Sequence, residues 1–232
     1  MVARPYGAPA EPRTLLHDRS ERRADLYLGD SMRRQTLDKF FVAGGAVLAA
    51  LLLVLGFVLQ SNATFANDYV HDQLSAQRIN FTPTEGLSPE EAKVACLADN
   101  AGKALTTGKQ AECYANEYIG LHLTEINEGK TYSETSGAAR AARADATAAQ
   151  ESGAADADEL DATATELEGK VQSLFRGESL RGLLLTSYGF SEFGRKADQA
   201  AMVAFLAALV LLLASLAGLV HAVRTPKLAY VE

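Results

Sequence analysis

The chain has 232 residues, with 22 Lys and Arg against 29 Asp and Glu and a formal net charge of −7. Its mean hydropathy of −0.03 averages unlike parts, because two uncharged apolar runs, residues 40–59 and 200–220, sit in an otherwise polar chain rich in Ala, Asp and Glu. That segregation speaks against an ordinary soluble globule, and the acidic balance speaks against a nucleic-acid binder, whose contact face is basic.

Residues 1–39 hold 8 Lys and Arg and 6 acids, and they read as a largely disordered N-terminal segment. The apolar run that follows has 20 residues. A helix rises about 1.5 Å per residue, so a run of that length crosses a hydrocarbon core of about 30 Å. We take residues 40–60 as transmembrane helix 1. A cleaved signal peptide is the alternative. Its n-region would be unusually long, and its apolar part would exceed the usual span of about 7–15 residues. Arg33-Arg34 resembles a twin-arginine signal, but Thr36 stands where an aromatic residue is usual. A retained signal anchor is the better reading.

Residues 61–199 form the domain between the runs and read mostly as helix. Phe65, Tyr69, Leu74 and Ile79 extend the first helix past the apolar run, and Phe81-Thr82-Pro83 breaks it. Ser88-Pro89-Glu90-Glu91 is a start signal, with Ser88 as N-cap, Pro89 at the first helical position and Glu91 closing a capping box. Val94, Leu97, Ala101 and Leu105 then follow at helical spacing. A third helix is predicted over residues 109–128, stopped by Gly129, and Thr131 with Glu134 forms another capping box.

Residues 137–165 contain 13 Ala in 29 positions. Ala favours helix, but few large side chains are present to hold a helix in a core. The segment reads either as a long exposed helix or as a partly disordered linker. Leu160, Leu167, Val171 and Leu174 restore an apolar stripe, and Leu180, Leu183, Leu184 and Tyr188 make another. Phe190 and Phe193 are placed at a membrane interface, just before transmembrane helix 2 at residues 200–220. Residues 221–232 are a short tail. The fold class is therefore all-α: a transmembrane helical hairpin carrying an extracytoplasmic up-and-down helical bundle.

Orientation follows from the cations. The first 39 residues carry net +2, the last 12 carry +1, and residues 61–199 carry −10, from 12 Lys and Arg against 22 acids. The positive-inside rule puts both termini in the cytoplasm of a plasma-membrane protein, although Arg195 and Lys196 weaken it at the second span. Gly45 and Ala49, Ala46 and Ala50, Ala204 and Ala208, and Ala214 and Gly218 are i, i+4 pairs of small residues. They suit close packing of the spans, or follow simply from abundant Ala.

Cys96 and Cys113 are the only cysteines. They lie on adjacent predicted helices in the segment placed outside the cytoplasm, where disulfides persist, and we assign them as a structural disulfide. Candidate chemistry is sparse. His71, His122 and Glu125 are the residues from which an iron site of two His and one carboxylate would be built. Surface histidines beside acids are the plainer reading, so no catalytic, cofactor or metal residue is assigned. His17 and His221 fall on the other side of the membrane. No Gly-rich phosphate loop and no nucleophile elbow is present. Asn62 and Asn80 head glycosylation sequons, and the acidic run of residues 156–168 reads as a solvated helix face.

Asp68-Tyr69-Val70, Gln73-Leu74, Gln77-Arg78-Ile79, residues 129–134 (GKTYSE) and residues 176–185 (RGESLRGLLL) together resemble uncharacterised two-span membrane proteins of actinobacteria. The resemblance covers roughly residues 30–225, with residues 137–165 as a variable insert. Similar proteins are sometimes labelled ring-opening dioxygenases, and the resemblance assigns no residue a role. The expected function is a non-enzymatic membrane protein of the cell envelope, presenting its helical domain to a partner. The alternatives are an extracytoplasmic sensor, for which the 12-residue tail leaves no room for a signalling domain, and a metal-dependent enzyme. The expected partners are the lipid bilayer and an unidentified protein, with self-association open and no nucleic acid.

Overall fold

The computed structural model describes residues 34–224. Residues 1–33, with His17, and residues 225–232 lie outside them, and so do the expectations that fall there. Among the described residues the helices are α1 (Arg34–Gln77), α2 (Ala95–Asn100), α3 (Gly108–Cys113), α4 (Gly120–Ile126), α5 (Tyr132–Ser152) and α6 (Ala157–Arg224). Single 3₁₀ turns occupy Thr84–Gly86 and Glu91–Lys93, and π-helical turns at Tyr114–Ile119 join α3 to α4. The described residues form no strand, only one antiparallel bridge between Asn80 and Ala104. The all-α expectation therefore holds.

The chain divides into two compact units, one of Met1–Leu55 with Val203–Glu232 and one of Gly56–Met202. In the first, the described parts of α1 and α6 pack on each other. A Cβ on Gly45 would stand 2.5 Å from Ser215 Oγ, and one on Gly218 would stand 2.9 Å from Val42 Cγ2. Ala49 and Ala208 are fully buried, so Gly45/Ala49 and Ala204/Ala208 belong to the contact, whereas Ala46, Ala50 and Ala214 face outward. Most large apolar side chains of these segments, among them Phe41, Leu51 and Val210, are exposed. Both helices are long and apolar enough to cross a membrane. Helix α1 starts at Arg34, so residues 34–39 of the segment expected to be disordered are helical.

In the second unit the core joins Val70 and Leu74 of α1, Phe81, Leu97, Leu105, Cys113, Leu123, and Leu174 and Leu184 of α6. Helix α1 continues past the apolar run as expected, but Phe65 and Tyr69 do not lie on its buried face. Ala63, Ala66, Val70 and Leu74 turn inward, while Phe65 and Tyr69 are 61% and 49% exposed. Small residues win because the neighbouring helix comes close: a Cβ on Gly194 would lie 2.9 Å from Ala66 Cβ. The helix ends at Gln77, where Arg78 takes a left-handed φ of 53°, before the Phe81-Thr82-Pro83 break.

The helix expected after Ser88 is much shorter than its signal. The capping box forms, with Ser88 N–H donating to Glu91 Oε2 at 2.8 Å and Glu91 N–H to Ser88 Oγ at 3.1 Å. It closes only a 3₁₀ turn, because Val94 is extended at φ −86°, ψ 106°. Helix α2 then runs six residues. Leu105 is not helical. Its N–H donates to Ile79 O at 2.8 Å, and Phe81 N–H donates to Lys103 O at 2.9 Å, so residues 79–82 and 102–105 pair side by side. A distant backbone partner outcompetes local helix spacing there.

The helix expected over residues 109–128 appears as α3, the π turns and α4, spanning residues 108–126. Its start is a capping box between Thr107 and Gln110. Gly129 takes φ 77°, a conformation open to glycine without Cβ strain. The Thr131–Glu134 capping box opens α5 as expected. The Ala-rich segment is helical through Ser152, where Gly153 at φ 69° ends α5, and α6 begins at Ala157. The two apolar stripes at residues 160–174 and 180–188 lie on one continuous helix of 68 residues.

Candidate functional site

The small helices α2 to α4 carry the polar chemistry of the second unit. Cys96 and Cys113 are joined by a disulfide, with Cα atoms 6.1 Å apart. It ties α2 to α3, and Gln110 Nε2 donates to Asn100 Oδ1 at 3.1 Å across the same pair. Beside it lies a polar cavity of about 550 Å³ whose walls include Asn100, Lys109, Glu112 and Glu117.

The histidine candidates His71 and His122 do not converge on a shared site. His122 sits on α4, where its Nδ1 meets Tyr118 O at 2.8 Å and its Nε2 lies 3.9 Å from Glu91 Oε1. Glu91 is buried, one oxygen held by the Ser88 N–H and the other turned toward His122. His71 and Glu125 are exposed, and no group of three His, Cys, Asp or Glu side chains is placed to hold a metal among the described residues. Phe81, Tyr114, Tyr118 and His122 form a continuous run of ring contacts, with centroids 5.3, 4.6 and 4.5 Å apart. Burial pushes the Tyr114 hydroxyl above its ordinary value, helped by Tyr118 and Glu91.

The acidic run is partly engaged. Arg143 on α5 donates to Glu168 Oε1 at 2.9 Å and Oε2 at 3.0 Å, to Thr165 Oγ1 at 3.2 Å, and to Asp161 on α6. The hydrogen bond from Arg143 holds the Glu168 carboxyl below the ordinary range, and Glu168 in turn raises the guanidinium. Sequence spacing does not reveal this fork, which joins residues 25 positions apart. Asn62 and Asn80 each donate to backbone, to Val58 O and Arg78 O.

The feature most suited to recognition is an apolar groove that sequence spacing does not reveal. In the second unit α1 and α6 bury Val70, Leu74 and Leu184 on the side of the small helices. A groove of about 360 Å³ also runs between them, lined by Tyr69, Gln73, Gln77, Leu183, Ser187 and Phe190 among others, and none of its lining residues is charged. Tyr69 packs edge-on against Phe190 with centroids 5.8 Å apart, and Phe65 stacks on Tyr69 at 5.9 Å. Leu183 is 68% exposed, and Leu180 and Phe193 are exposed as well. The signal for this face was present in the alternation of buried Leu184 with exposed Leu183 and Leu180, but periodicity alone does not say which side of a helix has a neighbour. Comparison of the chain with protein-family models, curated proteins and solved structures finds no match.

Proposed function

We propose that the protein is a non-enzymatic integral membrane protein of the cell envelope that works by protein–protein contact. Residues 40–60 and 200–220 form a transmembrane hairpin, both termini are cytoplasmic, and residues 61–199 form an extracytoplasmic helical domain. The exposed apolar surfaces of α1 and α6 in the first unit support the bilayer assignment. The exposed, uncharged face of α1 and α6 in the second unit carries the interaction assignment. Contiguous apolar surface of this kind marks contact sites in soluble parts of proteins.

A photoreactive benzoylphenylalanine placed at Leu183 tests it. Illumination of intact membranes gives a protein adduct, and absence of any protein adduct refutes the reading. Orientation is tested separately. An impermeant thiol reagent applied to intact cells after reduction labels Cys96 and Cys113, and labelling only after lysis refutes the topology. The 550 Å³ polar cavity favours a second reading, a sensor that binds a small polar ligand. Thermal-shift screening of the full chain in detergent with polar metabolites tests it.

A further inference from the structure

We infer that the partner seated on the α1/α6 groove is a second copy of this chain, docked about a two-fold axis parallel to the helices. The inference rests on the contact function proposed above and names its occupant.

Charge confines a self-contact to this groove. Residues 61–199 carry 22 acids against 12 Lys and Arg, so two copies repel over most of their surface. The groove lining has no charged residue, so two copies meet there without burying an unpaired charge. A basic partner is drawn instead to acidic surface such as residues 156–168, which hold six Asp and Glu.

Hydrogen bonding is self-complementary as well. Thr186 Oγ1 donates to Gly182 O at 2.9 Å, and Ser187 Oγ donates to Leu183 O at 3.2 Å. Each hydroxyl has thereby spent its proton and offers lone pairs only. The complement it needs is a donor, and Gln73 and Gln77 on the opposite wall of the same groove carry carboxamide donors. A two-fold axis brings the Gln wall of one copy to the Ser/Thr wall of the other, as an isologous contact requires. Leu183 and the Tyr69–Phe190 pair supply the apolar centre, and the four helices make a bundle.

The test uses the full chain in its native membrane. Cys96 and Cys113 are bonded to each other, so Leu183→Cys introduces the sole free thiol. Mild oxidation converts Leu183→Cys to a disulfide-linked dimer, while Asp145→Cys, on an exposed position of α5, stays monomeric. Leu183→Glu, with unchanged helix content by circular dichroism, halves the particle mass in mild detergent. Failure of Leu183→Cys to dimerise, equal dimerisation of Asp145→Cys, or a Leu183→Glu protein of unchanged dimer mass overturns the inference. The photo-crosslinker at Leu183 separates it from the broader reading. An adduct of twice the chain mass supports a second copy. An adduct to a different protein overturns the second copy and leaves the contact function standing. A lipid adduct alone, or none, overturns both.

Discussion

Reducing the disulfide is the most direct test of how the small helices are held. Helices α2 and α3 have six residues each, well below the length at which an isolated helix is stable in water. Their order therefore comes from packing and from the bridge. Cys96 and Cys113 are 17 positions apart. In the chain-entropy model, closing a loop of that size removes about 3 kcal/mol of freedom from the unfolded chain. Little else compensates: the domain has no Trp, and the core near the bridge rests on Leu97, Leu105 and Phe81. For a unit of this size, about 3 kcal/mol corresponds to a fall in melting temperature of roughly 10 °C.

The assay is thermal melting of the full chain in mild detergent, followed by near-ultraviolet circular dichroism. Oxidised protein, reduced protein and the Cys96→Ser/Cys113→Ser double variant are compared, with the thiol state confirmed by intact mass. Near-ultraviolet signal is the informative probe, because Phe81, Tyr114 and Tyr118 belong to the same core cluster as Cys96 and Cys113. The reduced chain and the double variant melt together and earlier. A confirmed reduced chain that melts with the oxidised one refutes the argument that the bridge holds α2 against α3.

Three further outcomes follow from the packing. A Cβ on Gly108 overlaps Ser191 and lies 3.4 Å from Tyr188 Cα, so Gly108→Ala destabilises by about 1–3 kcal/mol. Gly108→Ala/Ser191→Gly recovers most of the loss, and a single variant that melts like the parent contradicts the close crossing. Arg143→Ala releases α5, read as faster amide exchange across residues 140–150 while α6 keeps its protection. The same release appears on acidification. Glu168 is held below its ordinary value of 4.5, so its contribution is present above that value and is lost as pH falls through the lower folded value. Unchanged exchange at acidic pH rejects the clamp. Finally, Val42→Cys/Gly218→Cys forms an intramolecular disulfide in membranes, because those positions touch across the two apolar helices. Leu51→Cys/Gly218→Cys, with Leu51 facing outward, does not.

The signals legible in the sequence were those whose physics is local. Thr131 and Glu134 cap α5 because N-cap and N3 are three residues apart, and Gly129 and Gly153 turn the chain because each sits at a left-handed position. Ser88 and Glu91 also make their local hydrogen bonds, yet no long helix follows. The decision belongs to residues 102–105, whose partners at 79–82 are 20 to 26 positions away and invisible to spacing. The same limit applied to α1. Phe65 and Tyr69 fit the apolar stripe, but Ala63 and Ala66 are the residues that let Gly194 approach. The Ala-rich helix has few large side chains to reveal its packing in the sequence, and a single Arg143 fork to three α6 side chains supplies part of its attachment.

That attachment pattern also explains why one face of the domain is left open. In the second unit the stretch between α1 and α5 is spent on short helices that pack against Val70, Leu74, Leu174 and Leu184. Gly177 lets Leu123 approach α6, since a Cβ there would stand 2.5 Å from Leu123 Cδ2. Gly108 does the same beside Ser191. Helix α5 is held near residues 161–168 by Arg143, toward the start of α6. Of the stretch between α1 and α5 only Ile79 reaches the groove of Tyr69, Gln73, Leu183 and Phe190, and α5 does not line it. A polar helix face in that place would be ordinary solvent-facing surface. This one carries Leu183, Phe65 and Tyr69, each about half exposed or more, in a domain that elsewhere spends its surface on acids. Exposed apolar area of that kind is disfavoured in water at about 25 cal/mol per Å², so it lowers the free energy of the domain only when something covers it.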